Sequence, residues 1–488
     1  MLTQDQFLAS LPLLASSALV ILVMAAIAVH RCHRTVSLLA LTGFAVTLAT
    51  VPCAAQVGPQ ALTGLLVVDG HALFYSGLIL IAAIACTLLM QQYFTAAGND
   101  HGGNREEAYL LLAISVNGAL VLSSSQHMAS FFVGLELMSI PMYGLVGYRF
   151  RQRHSLESAT KYLVLSAAAT AFMLFGMALL YAQSGRLDFA GIAALFDSRG
   201  ALDAWLAQAG MLVLLAGVAF KLSLAPFHAW TADVYEGAPA PVGAFLATVG
   251  KIAVMAVLLR LLVMTGLSGE SSAADFPDVL AAIAALSILV GNLLALQQQN
   301  LKRMLAWSSV AHFGYLLIVL VAGGSLAPVA AGMYLATYCA TTLAAFGVLS
   351  VLSSAAQERD VDTVHGVRAL ASRSPLAALT LAVALLSLAG MPLTAGFIGK
   401  FHVLAAGAEA ARWDLLLLVV VGSALGLWYY LRVVAALYAR PETAGAPAPA
   451  RGAGWITVVL ALVAVIVLGL WPQPLIDILS TALISHPG

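Results

Sequence analysis

Four ionisable side chains stand inside apolar runs of this sequence. Glu136 lies in SFFVGLELMSIPMYG, Lys221 in AFKLSLAPFHAW, Lys251 in GAFLATVGKIAVMAVLLR and Lys400 in TAGFIGKFHVL. A charge near the centre of a membrane helix costs about 2.5–3.5 kcal/mol. The set therefore costs on the order of 10 kcal/mol before pairing, which rivals the whole stability of a domain. Charges kept at that cost face the interior of a bundle and mark an ion or proton path. Lysine suits such a path, because desolvation disfavours an ammonium and a neighbouring carboxylate favours it. At 4 Å and an effective dielectric near 20, that attraction is about 4 kcal/mol. Glu136 and Lys221 can act as a switch of this kind only if they are neighbours in space. A buried Glu–Lys pair can also be a packing clamp, and Lys400, nearer a helix end than the others, can snorkel.

Polar stepping stones accompany the charges. NLKRMLAWSSVAHFGY places Ser308, Ser309, His312 and Tyr315 on one helix, with His312 at i+4 and i+3 from the two serines. That spacing puts them on a shared face. A hydrogen-bonded packing histidine is the alternative reading of His312. His228 follows Pro226 closely and is a second candidate for proton entry. Glu157 and Lys161 have the spacing of an ordinary i, i+4 ion pair, and Asp69 and His71 read as interfacial. HRCHR at 30–34 fits no common zinc spacing and reads as a basic loop.

The elements that must position these residues are membrane helices. Of 488 residues, 61% are hydrophobic and 9% charged, against roughly 25% charged in soluble domains. A net charge of +0 offers no basic face for nucleic acid. The four cysteines show no C-x-x-C spacing, and neither a dinucleotide fingerprint nor a phosphate-binding loop is present. The N-terminus has no basic leader and reads as a first membrane helix. A span needs about 20 apolar residues, which predicts about fourteen: 8–29, 35–56, 71–92, 107–123, 127–148, 158–182, 205–236, 240–266, 275–297, 301–323, 327–354, 375–407, 412–438 and 455–480. The chain is expected to be an all-α integral membrane protein, a single bundle over 1–488.

Loops after odd-numbered spans, from Arg31 to Arg451, hold fifteen of the 22 Lys and Arg residues, against Arg186, Arg199, Arg260 and Arg412 on the other side. The positive-inside rule then puts both termini away from the cytoplasm. Residues 205–236 and 375–407 are too long for straight crossings and contain Pro226 and Pro392. Proline removes a backbone donor, so both spans are expected to be broken. Broken spans in corresponding places point to an internally repeated transporter: helices 4–8 (107–266) and an inverted copy, helices 9–13 (275–438). Helices 1–3 (1–106) precede the repeats and helix 14 (439–488) follows them.

FKLSLAPFHAWTADVYEGAP (220–239), GLELMSIPMYGLVGY (134–148), NLKRMLAWSSVAHFGY (300–315) and LSLAGMPLTAGFIGKF (386–401) together resemble the antiporter-like membrane subunits of respiratory complex I, the proton-translocating NADH-quinone oxidoreductase. The resemblance covers essentially everything beyond the first two helices. It implies two inverted five-helix repeats with helices 7 and 12 discontinuous. It also implies an ion pair of Glu136 with Lys221, a connecting Lys251 and an outlet-side Lys400. The residues themselves add the His312 region as a step of the proton chain between Lys251 and Lys400. The implied chain binds no cofactor itself. NADH, FMN, iron–sulfur clusters and quinone belong to partner subunits, and neighbouring antiporter-like and small membrane subunits are the implied partners. The implied location is the bacterial inner membrane. One departure stands out: Ala232 occupies a position where that family usually has proline. Read without the resemblance, the buried charges also fit a cation/proton antiporter or a non-transporting scaffold.

Overall fold

The computed structural model describes residues 3–96, 105–197, 205–267, 276–357, 359–440 and 452–484. Arg199 and Arg451, counted above for orientation, lie outside them. The chain opens with α1 (Gln4–Val29), α2 (His33–Ala55), a two-stranded antiparallel hairpin of β1 (Gln60–Ala61) and β2 (Val67–Val68), and α3 (Gly70–Thr95). Then come α4 (Glu107–Ser123), α5 (Met128–Val146), α6 (Arg153–Ser184), α7 (Phe189–Asp197), α8 (Trp205–Leu222), α9 (Thr231–Gly237), α10 (Ala240–Ala247) and α11 (Val249–Met264). The second half holds α12 (Phe276–Leu296), α13 (Leu301–Ala322), α14 (Ala327–Leu352), α15 (Leu370–Arg373), α16 (Pro375–Ala389), α17 (Ala395–Glu409) and α18 (Trp413–Leu437). The chain closes on α19 (Gly454–Leu470) and α20 (Gln473–Ile484).

Every expected apolar run forms helix, but not every run is a straight crossing. Eleven spans among the described residues are long and apolar enough to cross a membrane, or twelve with one bent pair. The run at 107–123 is a 17-residue helix. The run at 455–480, expected as one crossing, turns through 83° between α19 and α20. Pro472 stands at that corner and has no N–H with which to continue α19. The linker after α6, read as polar loop, contains the short α7.

Both expected breaks are present. The first run splits into α8 and α9 across 223–230, where Ser223 turns the chain at φ 63°. The second splits into α16 and α17 across 390–394, with Gly390 at φ 88° and Leu393 at φ 69°. Each break is pinned by a serine hydroxyl that accepts a backbone N–H: Ser287 from Ala225 at 2.9 Å and Ser387 from Gly396 at 2.9 Å. A third interruption was not expected. At Thr248 (φ −111°, ψ −81°) the run 240–266 divides into α10 and α11, three residues before Lys251.

The centre of the bundle is α13, buried at every position but Arg303 and packed chiefly on α12, with α9, α17 and α14 around it. α1, α2, α6 and α18 are the outer helices and present apolar side chains outward, such as Leu22, Val46, Phe175 and Val420. Trp205, Trp413 and Trp471 are exposed where α8 and α18 begin and α19 ends, the positions of an interfacial aromatic belt. α4 and α5 approach closely because glycines face each other. A Cβ on Gly134 would lie 2.9 Å from the Leu122 amide nitrogen, and one on Gly118 would lie 2.8 Å from the Gly134 carbonyl. Small residues permit such contact in membranes.

Gly134→Val forces α4 and α5 apart two residues before Glu136. Overpacking of this kind costs about 1–3 kcal/mol. The expected outcome is a lower thermal midpoint of the detergent-extracted protein, read by fluorescence-detected size-exclusion after heating.

Candidate functional site

α8 ends one residue after Lys221, so this lysine occupies the last turn of a half-helix, not the middle of a long span. A cation in a helix's last turn is favoured by the backbone dipoles. Its ammonium donates to Ser139 Oγ on α5 at 2.9 Å and to Ser166 Oγ on α6 at 2.7 Å. Ser166 also accepts from the Tyr143 hydroxyl at 2.7 Å. Glu136 is half-buried on α5, and Thr170 Oγ1 donates to its carboxylate at 2.8 Å. Among the described residues no ion pair within 4.0 Å joins Glu136 to Lys221. Ser139 lies one turn from Glu136, and Ser166 one turn from Thr170. The expected direct pair is therefore not made: each charge meets hydroxyls of its own, one turn apart along α5 and α6. Serine and threonine abound in membrane helices, so nothing in the sequence singled these hydroxyl residues out.

Lys251, on α11, reaches back to the first break. Its ammonium donates to the Leu222 carbonyl at 3.3 Å and to the Ser309 hydroxyl, and sits 4.7 Å from the centre of the Phe313 ring. The carbonyl at the end of α8 has no helical N–H to accept. The second break is arranged similarly. Lys400, on α17, donates to the Ala389 carbonyl at the end of α16 (2.9 Å) and to Ser423 Oγ on α18 (3.0 Å), and lies 5.2 Å from the Tyr315 ring centre. Snorkelling does not occur: Lys400 is buried and inward.

His312 lies between the two lysines on α13, and its Nδ1 pairs with the Tyr334 hydroxyl at 2.7 Å. The face shared with the two serines divides: Ser308 bonds Tyr430 on α18, while Ser309 turns to Lys251. Beyond Lys400, Asn292 joins Tyr315 (3.0 Å) and Tyr429 (3.2 Å). Lys251, Ser309, His312, Tyr334, Lys400 and Ser423 thus form a buried polar core around α13. His228 stands apart from this axis against Trp307, with ring centres 5.4 Å apart.

Three basic residues assigned to loops, Arg149, Arg260 and Lys302, are instead buried. Arg260 holds Asp69 by two hydrogen bonds of 2.7 and 2.8 Å, and Asp69 also caps α3 through the Ala72 N–H at 2.8 Å. The two residues are structural rather than merely interfacial. Lys302 donates to Asp360 at 2.9 Å and to the Ala238 carbonyl at 2.9 Å, and lies 3.5 Å from Asp362. Asp360 also accepts from Tyr93 (2.7 Å), Arg149 (3.0 Å) and the Ala240 N–H (3.0 Å). Burial alone would raise the Asp360 carboxyl, but Lys302 and Arg149 outweigh it and hold it below the usual carboxylate range. The Glu157–Lys161 pair forms at 2.8 Å, and Lys161 also holds Asp233, which Arg303 grips at 2.7 Å. These ion pairs fasten α9 to α6 and α13.

Asp360→Ala leaves Lys302 and Arg149 buried without their carboxylate, a loss of about 3–5 kcal/mol. The effect has a defined pH sign. With a folded pKa below the unfolded one, Asp360 contributes its stability above about pH 4. It loses that contribution as pH falls through the folded value. Thermal midpoints of the wild-type protein should fall in that acid range, and those of Asp360→Ala should start low and fall less.

Residues 125–426 match the family described as "NADH:quinone oxidoreductase/Mrp antiporter, TM". The chain is 48% identical over 486 residues, 98% of this chain and 97% of the relative, to NADH-quinone oxidoreductase subunit N of Ectopseudomonas mendocina (strain ymp). A chain in the structure of respiratory complex I from Thermus thermophilus superposes with a TM-score of 0.82 at 35% identity, covering 96% of this chain and 98% of that one. A chain of the Mrp complex from Dietzia sp. DQ12-45-1b shares the fold alone, with a TM-score of 0.83 at 20% identity over 99% and 97% of the two chains. Identity of this extent, spread over a bundle whose broken helices carry the buried lysines, makes the chain a member of the NADH:quinone oxidoreductase/Mrp antiporter membrane family.

Proposed function

We propose that this chain is the subunit-N-type, proton-translocating membrane component of an NADH-quinone oxidoreductase. The single observation that carries the reading is the pairing of each helix break with a buried lysine, in a chain 48% identical to a subunit N over almost its full length. NADH oxidation and quinone reduction take place in partner subunits, which hold FMN, the iron–sulfur clusters and the quinone. This chain contributes no redox centre and acts as a translocase. It sits among the other membrane subunits of the complex, in the bacterial inner membrane with both termini periplasmic. The end bearing Arg149, Lys302 and Arg359 faces the cytoplasm.

Glu136, Lys221, Lys251, His312 and Lys400 carry the proton. When the Glu136 carboxylate draws on Lys221, the ammonium is retained. When that influence weakens, Lys221 can release its proton toward Lys251 on the far side of the α8 terminus. Ser309, His312 and Tyr334 then lead to Lys400, and Ser423 and Tyr315 lie beyond. Residues 107–266 and 275–438 act as two inverted units, each opening at its break, with 1–106 and 439–488 packed around them. The two breaks support this, since each ends a half-helix on a carbonyl held by a lysine of a following helix.

Lys221→Ala and Glu136→Gln, each in the assembled complex in inverted membrane vesicles, should lower NADH-driven proton uptake at least about ten-fold while the complex still assembles. Normal uptake in both variants, measured by quenching of an acridine dye, would sink the transport reading.

A further inference from the structure

A cavity of about 160 Å³ opens at the basic end of the bundle, between α9, the start of α13 and the segment 359–363. Glu236, Lys302, Asp360, Asp362, His154 and Arg359 line it. Its two buried aspartates are not equivalent. Asp360 is saturated by four donors and is a fixed anion. Asp362 has only the more distant Lys302 contact at 3.5 Å and the neighbouring Asn300 side chain. Burial pushes its carboxyl up, and Lys302 only partly opposes this. Glu236 and the fixed charge of Asp360 add to the effect, while Arg359 is turned to His154 at 2.8 Å.

The seam between α9 and α13 runs inward from this cavity. It holds three buried polar atoms without a hydrogen-bond partner: Thr231 Oγ1, Tyr235 OH and Trp307 Nε1. Tyr235 directly precedes the cavity residue Glu236 and is wholly buried, and its hydroxyl faces Ser309. Ser309 follows Lys302 by two turns of α13, about 10 Å, on the same face. It accepts the Lys251 ammonium. Buried polar atoms without partners are rare in native proteins, and such groups are the ones that bind internal water.

We propose that Asp362 collects protons at the cytoplasmic mouth and delivers them along the α9–α13 seam, through Tyr235 and Ser309, to Lys251. This rests on the transport reading above. An Asp362 carboxylate oxygen takes up a proton from the cytoplasm, delivered as hydronium through water in the cavity, and becomes a neutral carboxyl, the water being left neutral. The carboxyl hands that proton through water to the Tyr235 hydroxyl, which releases its own toward Ser309. Ser309 passes one to the neutral amine of Lys251, making an ammonium. Asp362 returns to its anion, each hydroxyl is restored, and only O–H and N–H bonds change. Asp360, Lys302 and Arg149 keep the mouth in shape and carry no proton.

The test uses the assembled complex in proteoliposomes, with NADH-driven proton uptake and its dependence on cytoplasmic-side pH as readouts. Asp362→Asn and Tyr235→Phe are each expected to slow uptake at least about five-fold. Wild type is expected to slow as cytoplasmic-side pH rises, Asp362→Asn should remove that dependence, and Asp362→Glu should restore most of the rate. Tyr235→Phe keeps the ring and its packing, and it decides the matter if Asp362→Asn fails to assemble. Wild-type uptake in both variants overturns the proposal, as does an Asp362→Glu variant that is no faster than Asp362→Asn. Lys251→Met separates the two readings. If it stops uptake while Asp362→Asn and Tyr235→Phe run normally, only this mouth is wrong. If it too runs normally, the transport reading fails as well.

Discussion

A carbonyl at the end of a helix has no helical donor to accept from, and inside a membrane there is little water to replace it. This chain creates such carbonyls twice, at Leu222 and Ala389, and answers each with a lysine from a following helix. The ammonium and the carbonyl satisfy one another in a place where either alone would be costly. This mutual need explains why breaks and lysines occur together. It also makes the local structure sensitive to the charge on the lysine, since a neutral amine is a weaker partner for the carbonyl. The serines that pin the breaks, Ser287 and Ser387, hold the backbone close enough for the lysines to reach.

The rest of the bundle serves that arrangement. α13 is buried at every position but Arg303 because it presents polar groups in several directions at once: Ser309 to α11, His312 to α14, Ser308 to α18. A helix with partners on all sides has no lipid-facing stripe. Its N-terminal end is fastened by Lys302 and Arg303 to Asp360, Asp233 and Glu236. These ion pairs add to the packing of α9, whose Thr231, Ala232, Val234 and Tyr235 are already buried against its neighbours. Exposed pairs of this kind contribute little individually. The buried Asp360 centre differs, because its donors satisfy both carboxylate oxygens.

Glu136 and Lys221 show how hydroxyls can stand in for a direct charge contact. A direct contact would lock the lysine as an ammonium. Here Lys221 meets Ser139 and Ser166, and Glu136 meets Thr170, in place of such a contact. Hydroxyls rotate and both donate and accept, so the same groups can follow either protonation state of the lysine.

Much of this was legible in the residues themselves. Composition determined the membrane class, and apolar run length located the helices. Proline and run length together placed the breaks near Pro226 and Pro392, because a helix interior cannot absorb a missing N–H there. The cost of burying charge marked Glu136, Lys221, Lys251 and Lys400 whatever the fold. Tertiary structure alone decided what each charge meets. Lys251 and Lys400 find carbonyls, a backbone group that every residue carries and that no sequence pattern distinguishes. Lys302 and Arg260 read as loop cations because a charge near a span end carries the same letter whether it faces water or a buried aspartate. The interruption at Thr248 and the corner at Pro472 escaped notice for related reasons. The first turns at a threonine, with only Gly250 two residues on and no proline to mark it, and the second lay inside a run of ordinary length. Long-range partners set both the hydroxyl contacts of Lys221 and the saturation of Asp360, and such partners exist only once the helices have packed.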